Sequence, residues 1–282
     1  MWNKLMNWWN DHVRDRPYSP GRRIHQYRIS NVLGMGSYGI AYLAADLTNR
    51  TQVVLKQVKP SLRRSPKGEA MQDYEKKVLA TLSHPRIPRY LNSFTYRGDS
   101  FLCMTFIEGP TLEEALFEQL VILDERSAAR LMQQIGEIVA HLHDHGIIHR
   151  DVRIPNVIWH DDAPYLIDFG LARFVGDSPT YTADALSDYP SEKQLKRAVA
   201  PTSDLYALGH FFLFLLYSGY DADDHAPERS WEEELNLSED VHGIIRRLLQ
   251  IDAPYENVRQ LLSDLERYLN RDEGASVAGL SM

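Results

Sequence analysis

Between residues 27 and 58 the apolar positions fall in short runs, YRISNVLG, IAYLAAD and QVVLKQV, rich in β-branched and aromatic side chains and parted by Gly, Asn or Thr turns. This pattern predicts an antiparallel meander. Over residues 73–82, DYEKKVLATL, the apolar residues Tyr74, Val78 and Leu82 recur at helical spacing, and strand-like RYLNSFTYRG and SFLCMTFIEG follow. Beyond Thr111 the period lengthens. TLEEALFEQL, ERSAARLMQQIGEIVAHLHDHG, the apolar run after Asp204, VHGIIRRLLQ and VRQLLSDLERYL all read as helices. The pattern therefore predicts an α+β chain of two unlike lobes, one mostly strand with a single helix and one mostly helix, with no internal repeat and no long linker.

Two stretches raise the question of membranes. The run over residues 206–217, YALGHFFLFLLY, is 12 residues long and contains His210, whereas a spanning helix needs about 20, so it reads as a buried core helix. At the amino end Trp2, Leu5, Met6, Trp9 and Val13 form one apolar stripe with Trp8 beside it. The charged residues around that stripe, Lys4, Asp11, Arg14, Asp15 and Arg16, carry a net charge of only +1, too little to draw it strongly to anionic lipid. Docking on its own lobe or on a partner protein is the favoured reading, ahead of a lipid interface.

Composition narrows the classes further. With 282 residues and a formal net charge of −8, the chain can bury a sizeable core and as a whole repels phosphate backbones, so no nucleic-acid partner is expected. A single cysteine, Cys103, excludes an internal disulfide framework and a multi-cysteine metal site. The first 16 residues lack the uninterrupted apolar core of a secretory signal, and a cytoplasmic location is the expectation.

The chemically loaded positions come in a fixed order. Gly34, Met35, Gly36, Ser37, Tyr38 and Gly39 make a GxGxxG, and since Ile40-Ala41-Tyr42-Leu43 continues as a strand, the glycines belong to a hairpin that can bring bare backbone N–H groups to a phosphate. Lys56, at the end of Val53-Val54-Leu55-Lys56, needs an anion to meet, and Glu75, 19 residues on, is placed on a helix from which it could serve. His149-Arg150-Asp151-Val152-Arg153-Ile154-Pro155-Asn156 then precedes strand-like Tyr165-Leu166-Ile167 and Asp168-Phe169-Gly170. Blander features are the histidines His141, His143, His145 and His149, read as the end of a helix in preference to a zinc clasp, and the basic cluster Lys59, Arg63, Arg64 and Lys67, read as a solvated face.

From about residue 27 to residue 269 this ordered set resembles the eukaryotic-like (Hanks-type) protein kinase family, and specifically small stand-alone bacterial serine/threonine protein kinases with a shortened activation segment. The resemblance implies a bilobal protein-kinase fold: an amphipathic extension over residues 1–24, a catalytic domain over 25–270 with lobes at about 25–105 and 109–270, and a flexible tail over 271–282. It implies ATP and Mg²⁺, with Mn²⁺ as a substitute, and transfer of the γ-phosphate to Ser or Thr of a protein, the enzyme itself included. Asp151 would orient the acceptor hydroxyl, Asn156 and Asp168 would hold metal, Arg153 would face the γ-phosphate, and Lys56 with Glu75 would grip the nucleotide. Ala41, Val54, Met104 at the gatekeeper position, and Thr105 and Ile107 of the hinge would join the glycine turn around ATP, leaving Cys103 a buried, inert thiol.

Departures from the family accompany these matches. No Ala-Pro-Glu triplet stands about a dozen residues before Asp204, and the arginine expected shortly after Asp252 to pair with its Glu is absent too. The acceptor platform is thus remodelled, which keeps open two alternatives: a pseudokinase or nucleotide-binding scaffold, and a small-molecule kinase of the aminoglycoside or choline type. Arg150 precedes the catalytic Asp, an arrangement that in the family often answers a phosphate on the activation segment, where Ser178, Thr180, Tyr181, Thr182, Ser187, Tyr189 and Ser191 are available; a plain solvated loop is the equal alternative for this stretch.

Overall fold

The computed structural model describes residues 15–63, 66–178, 191–220 and 229–278. The chain divides into two compact units, the first running to Ile107 and the second beginning at Glu108.

The first unit is built on a six-stranded antiparallel sheet: β1 (Arg23–Ile24), β2 (Tyr27–Met35), β3 (Gly39–Asp46), β4 (Thr51–Val58), β5 (Tyr90–Tyr96) and β6 (Asp99–Thr105). The spatial order is β1-β2-β3-β4-β6-β5. Only the first four strands form the simple meander, because helix α1 (Pro66–Thr81) lies in sequence between β4 and β5, and the returning β5–β6 hairpin meets β4 through β6. Arg97 and Gly98, both at positive φ, make the two-residue turn of that hairpin, the handedness that matches strand twist. Alternation sorts the faces. Ile29, Ile40, Tyr42, Ala44, Val53, Leu55, Phe101 and Cys103 are enclosed in one cluster with Ile24 and Tyr27, and Phe94 stacks between Tyr27 and Phe101 at ring separations of 5.4 and 5.3 Å.

Helix α1 begins seven residues earlier than the apolar spacing indicates. Its first turns, PKGEAMQ, carry little apolar period, but proline suits a first helical position and Gly68 permits close approach: a Cβ there would lie 2.9 Å from a Val58 methyl carbon.

The N-terminal segment is tied into this unit from Asp15 onward. The Asp15 carboxylate, almost wholly buried, accepts bonds of 2.7 Å from the Ser61 N–H and hydroxyl, with Lys59 Nζ 3.9 Å away. Tyr18 donates to Asp99 at 2.8 Å, and Arg63 pairs with the other oxygen of the same carboxylate. Of the cluster read from the sequence as a solvated face, Lys59 is instead buried beside Asp15, whereas Arg63 stays exposed while pairing with the buried Asp99. Arg64 and the tryptophan stripe over residues 2–13 lie outside the described residues.

The second unit holds α2 (Leu112–Phe117), α3 (Glu125–Asp144), α4 (Ser191–Arg197), α5 (Pro201–Tyr217), α6 (Trp231–Glu234), α7 (Glu239–Leu248) and α8 (Val258–Ala278). Capping is explicit in the sequence: Thr111 and Glu114 form a capping box on α2, Asp124 caps α3 and Ser238 caps α7. Helix α3 buries its apolar stripe against α5 and α8. Between α3 and α4 run four short strands, β7 (Ile147–Ile148), β8 (Val157–His160), β9 (Ala163–Leu166) and β10 (Arg173–Phe174), pairing as β7–β10 and β8–β9. Helix α8 continues to Ala278, so the segment expected from residue 271 as a tail is helical that far. Among the described residues no single helix is long and apolar enough to cross a membrane; the 206–217 run lies in α5 with Leu208, Phe211, Phe212 and Leu215 enclosed.

Candidate active site

In the first unit the turn between β2 and β3 is closed by a 2.9 Å bond from the Gly36 N–H to the Gly39 carbonyl, and Tyr38 contributes its carbonyl to the Lys59 N–H at 3.0 Å. Gly34 and Gly36 face open space, with no atom closer than 3.9 Å to where a Cβ would be. Gly39 has a different reason to lack a side chain: its Cβ would lie 2.9 Å from the Gln57 carbonyl, inside the β3–β4 ladder. Met35 and Ser37 are exposed on the same turn.

Register places the remaining first-unit candidates together. Ala41 pairs with both Gly34 and Lys56, and Val54 pairs with Met104, so these five residues share the face of the sheet opposite the enclosed core. Lys56 Nζ donates to Glu75 Oε1 at 2.8 Å, and Glu75 is almost wholly buried while the Lys56 side chain keeps about a quarter of its surface accessible. Gln72, one turn before Glu75, donates to the Lys56 carbonyl at 2.8 Å and ties α1 to the strand that carries the lysine. Thr105 exchanges bonds with Arg89, and Ile107, half-buried, ends the unit. Cys103 is enclosed, and burial pushes its thiol up to about 11, which suits an inert core residue.

In the second unit the loop 149–156 is suspended from α5. Asp204, fully buried, accepts from the backbone N–H of His149 at 2.9 Å and of Arg150 at 2.7 Å, and His143 Nε2 lies 3.0 Å from it. Burial by itself would raise the pKa of this carboxyl, but the His143 bond, the nearby imidazoles and the backbone donors outweigh burial and hold it below the ordinary carboxylate value. His149 is enclosed edge-on against Phe169 at 4.8 Å, and burial lowers its pKa. The rings of His141 and His145 lie 4.3 Å apart at a tilt of 45°, and among the described residues no group of three or more His, Cys, Asp or Glu is arranged to hold a metal.

Asp151 projects from this loop. Its Oδ2 accepts from Asn156 Nδ2 at 2.9 Å and faces Arg153 Nε at 3.4 Å. Asn156 also donates that nitrogen to the Asp151 carbonyl, and its own carbonyl accepts from the Ile167 N–H at 2.9 Å, which brings Asp168 beside it in the backbone. Asp168 is exposed, at φ +61°, with Oδ1 accepting from the Gly170 N–H. With its nitrogen spent on Asp151, Asn156 has an amide oxygen to offer, which with the Asp168 carboxylate makes a donor set suited to a hard divalent cation that takes its other ligands from phosphate and water.

Two features escaped the motif reading. Glu192 stands twelve positions before Asp204, where no Ala-Pro-Glu was found; it lies on α4, 2.5 Å from Lys196 and 4.0 Å from His210. Arg197, the last residue of α4, reaches Asp151 Oδ1 at 4.0 Å. The Glu192–Lys196 spacing is a helix signal in the sequence, but nothing there directs Arg197 at the loop. Asp252 itself is paired with Arg246 at 2.8 Å. Of the candidate phosphorylation sites, Thr180, Tyr181, Thr182, Ser187 and Tyr189 lie outside the described residues.

This arrangement has close counterparts. A family model described as the protein kinase domain matches residues 27–265, most of the chain. The chain belongs to the protein kinase family. Its activity is that of a serine/threonine-protein kinase, in line with relatives of that name. It is 37% identical over 254 residues to the "Probable serine/threonine-protein kinase YbdM" of Bacillus subtilis, covering 90% of this chain and 93% of that protein. It is 27% identical to "Serine/threonine-protein kinase B" of Synechocystis, covering 86% of this chain but 46% of that longer protein. Among solved structures, "PpkA-294 apo form" superposes with a TM-score of 0.69 at 20% identity, covering 88% of this chain and 99% of that one. The Mycobacterium tuberculosis PknI kinase domain gives 0.66 at 19%, covering 89% and 99%, and both likenesses bear on the fold.

Proposed function

We propose that the enzyme transfers the γ-phosphoryl group of ATP, with Mg²⁺ as its divalent ion, to Ser or Thr hydroxyls of a protein acceptor, its own chain included, through the residues placed above. The observation that carries this reading is the Lys56–Glu75 pair at 2.8 Å, formed by a lysine in the middle of a sheet and an acid on helix α1. A buried carboxylate holding a partly accessible ammonium on the face shared with Gly34, Ala41, Val54 and Met104 serves to present a cation to phosphate. The bare backbone of Gly34 and Gly36 suits the approach of the same anion, and the hinge residues Thr105 and Ile107 suit adenine.

In the second unit, Asp151 takes the proton of the attacking hydroxyl as the new O–P bond forms and the bond to the ADP oxygen breaks. Asn156 and Asp168 would hold the metal, which supplies charge neutralisation for the phosphates when bound. Arg153, largely exposed beside Asp151, presents a planar fork of donors where a lysine would present a point charge. The protein acceptor, a cytoplasmic location and docking of the N-terminal stripe on a partner or on its own lobe belong to the same proposal.

The pair is tested by Lys56→Met and Glu75→Gln in a labelled-ATP transfer assay. Loss of about 100-fold or more in kcat/KM for Lys56→Met and about tenfold for Glu75→Gln is the expected result, with EDTA abolishing transfer and Mg²⁺ restoring it. Transfer by Lys56→Met at the wild-type rate contradicts the assignment.

A further inference from the structure

Asp151 presents two unlike carboxylate oxygens. Oδ2 is occupied by the Asn156 amide at 2.9 Å and faced by Arg153 at 3.4 Å. Among the described residues no side chain or backbone group is seen donating a hydrogen bond to Oδ1, and Arg197 Nη1 lies 4.0 Å from it. Oδ1 is therefore the oxygen left to receive an acceptor hydroxyl, and Arg197 stands beside the place where that hydroxyl arrives.

Arg197 is held there from both ends. Its Nη1 donates to the Arg150 carbonyl at 3.2 Å, while Arg150 Nε donates to the Arg197 carbonyl at 2.9 Å, so two bonds of opposite sense join the same two residues. Arg150 sits at φ +66° immediately before Asp151, and its guanidinium also reaches the Leu171 carbonyl at 3.0 Å. Ser203 donates to the Lys196 carbonyl at 2.7 Å and fixes the end of α4 to the start of α5. A left-handed residue bonded on backbone and side chain is a rigid mount for the aspartate that follows it.

We propose that Arg197 is a positioning residue for the acceptor step: it keeps Asp151 Oδ1 aimed at the incoming hydroxyl, and it makes α4 part of the phosphotransfer machinery. The proposal rests on Asp151 acting as the acceptor-orienting carboxylate. A cation 4.0 Å from a partly buried carboxylate oxygen acts on the orientation of the group more than on its hydration. Nucleotide binding need not feel its loss, because no phosphate-binding candidate touches Arg197 among the bonds above. The remodelled segment ahead of α5 thus supplies from α4 a contact to the catalytic carboxylate that no motif in the sequence announces.

The test is a double-mutant cycle of Arg197→Ala with Asp151→Asn, read by single-turnover transfer from labelled ATP to a generic protein acceptor, with ATP affinity and melting temperature measured on each variant. Arg197→Ala is expected to lower the transfer rate about ten- to a hundredfold while ATP affinity stays within about twofold, and Arg197→Lys to recover a large part of the rate. In the Asp151→Asn background the same Arg197→Ala change is expected to cost no more than about twofold, since the group it acts through is gone. Unaltered transfer by Arg197→Ala overturns the proposal. So does an undiminished further loss in the Asp151→Asn background, or a fall in transfer, ATP affinity and melting temperature together in both Arg197→Lys and Arg197→Ala, which would make the residue a structural pin. Wild-type transfer by Asp151→Asn alone refutes the assignment of Asp151 itself, a separate readout.

Discussion

At Asp204 one carboxylate from α5 meets two backbone N–H groups of the catalytic loop and a histidine from α3. Replacing it by Asn leaves two buried donors competing for one amide oxygen, and we expect a loss of about 2–4 kcal/mol, read as a lowered denaturation midpoint. The same residue sets an acid limit. Its carboxyl titrates below its unfolded value, so its stabilisation is fully present above the unfolded pKa and is lost as pH falls through the folded one. His149, lowered by burial, works in the same direction: the unfolded chain takes up its proton first, and the folded state loses ground as pH drops below about 6.5. The melting temperature should therefore be level just above neutrality, decline as pH falls from about 6.5 and fall more steeply below about pH 4. Asp204→Asn should remove the steeper part; an unchanged profile would show that another carboxylate governs acid unfolding.

Among the elements, α1 carries Glu75 and owes its seat on β4 to Gly68, where a Cβ would press on Val58 at 2.9 Å and on Leu62 at 3.0 Å. Gly68→Val is predicted to push the start of α1 outward at a cost of about 1–3 kcal/mol and to lower kcat/KM about tenfold, although Lys56 and Glu75 are untouched. Full activity with unchanged melting would show that α1 is not set by this contact. The start of α1 also shows what the sequence could and could not convey. Strands β2 to β6 were legible because short runs of β-branched and aromatic residues fit a packed sheet, and α3 and α7 because their apolar residues recur at helical spacing. The opening of α1 and all of α4 were not, since PKGEAMQ and SEKQLKR have little apolar period and take their places through tertiary contacts. The crossing of β6 next to β4 was hidden for a related reason: strand order depends on where a helix intervenes, which periodicity does not encode. Site legibility divides the same way. Lys56, Glu75, Asp151, Asn156 and Asp168 were read through the family resemblance that their ordered motifs carry, whereas Arg197 belongs to no motif and is identified by the oxygen it faces.

For the whole molecule, the two units each complete their own part of a phosphotransfer apparatus: a lysine held by a buried glutamate in one, and a carboxylate, an amide oxygen and a second carboxylate along one loop and hairpin in the other. Full retention of this set is what separates a working kinase from a nucleotide-binding scaffold, because a scaffold has no chemical use for Asp151. The most direct measurement is transfer of label from γ-labelled ATP with Mg²⁺ to a generic protein acceptor and to the enzyme itself, with the modified residues located by mass spectrometry, alongside Asp168→Ala and Asp151→Asn. Label on Ser or Thr that both substitutions reduce by about 100-fold or more is the result the geometry predicts. Wild-type protein that binds ATP yet transfers no more label than the two variants would contradict it.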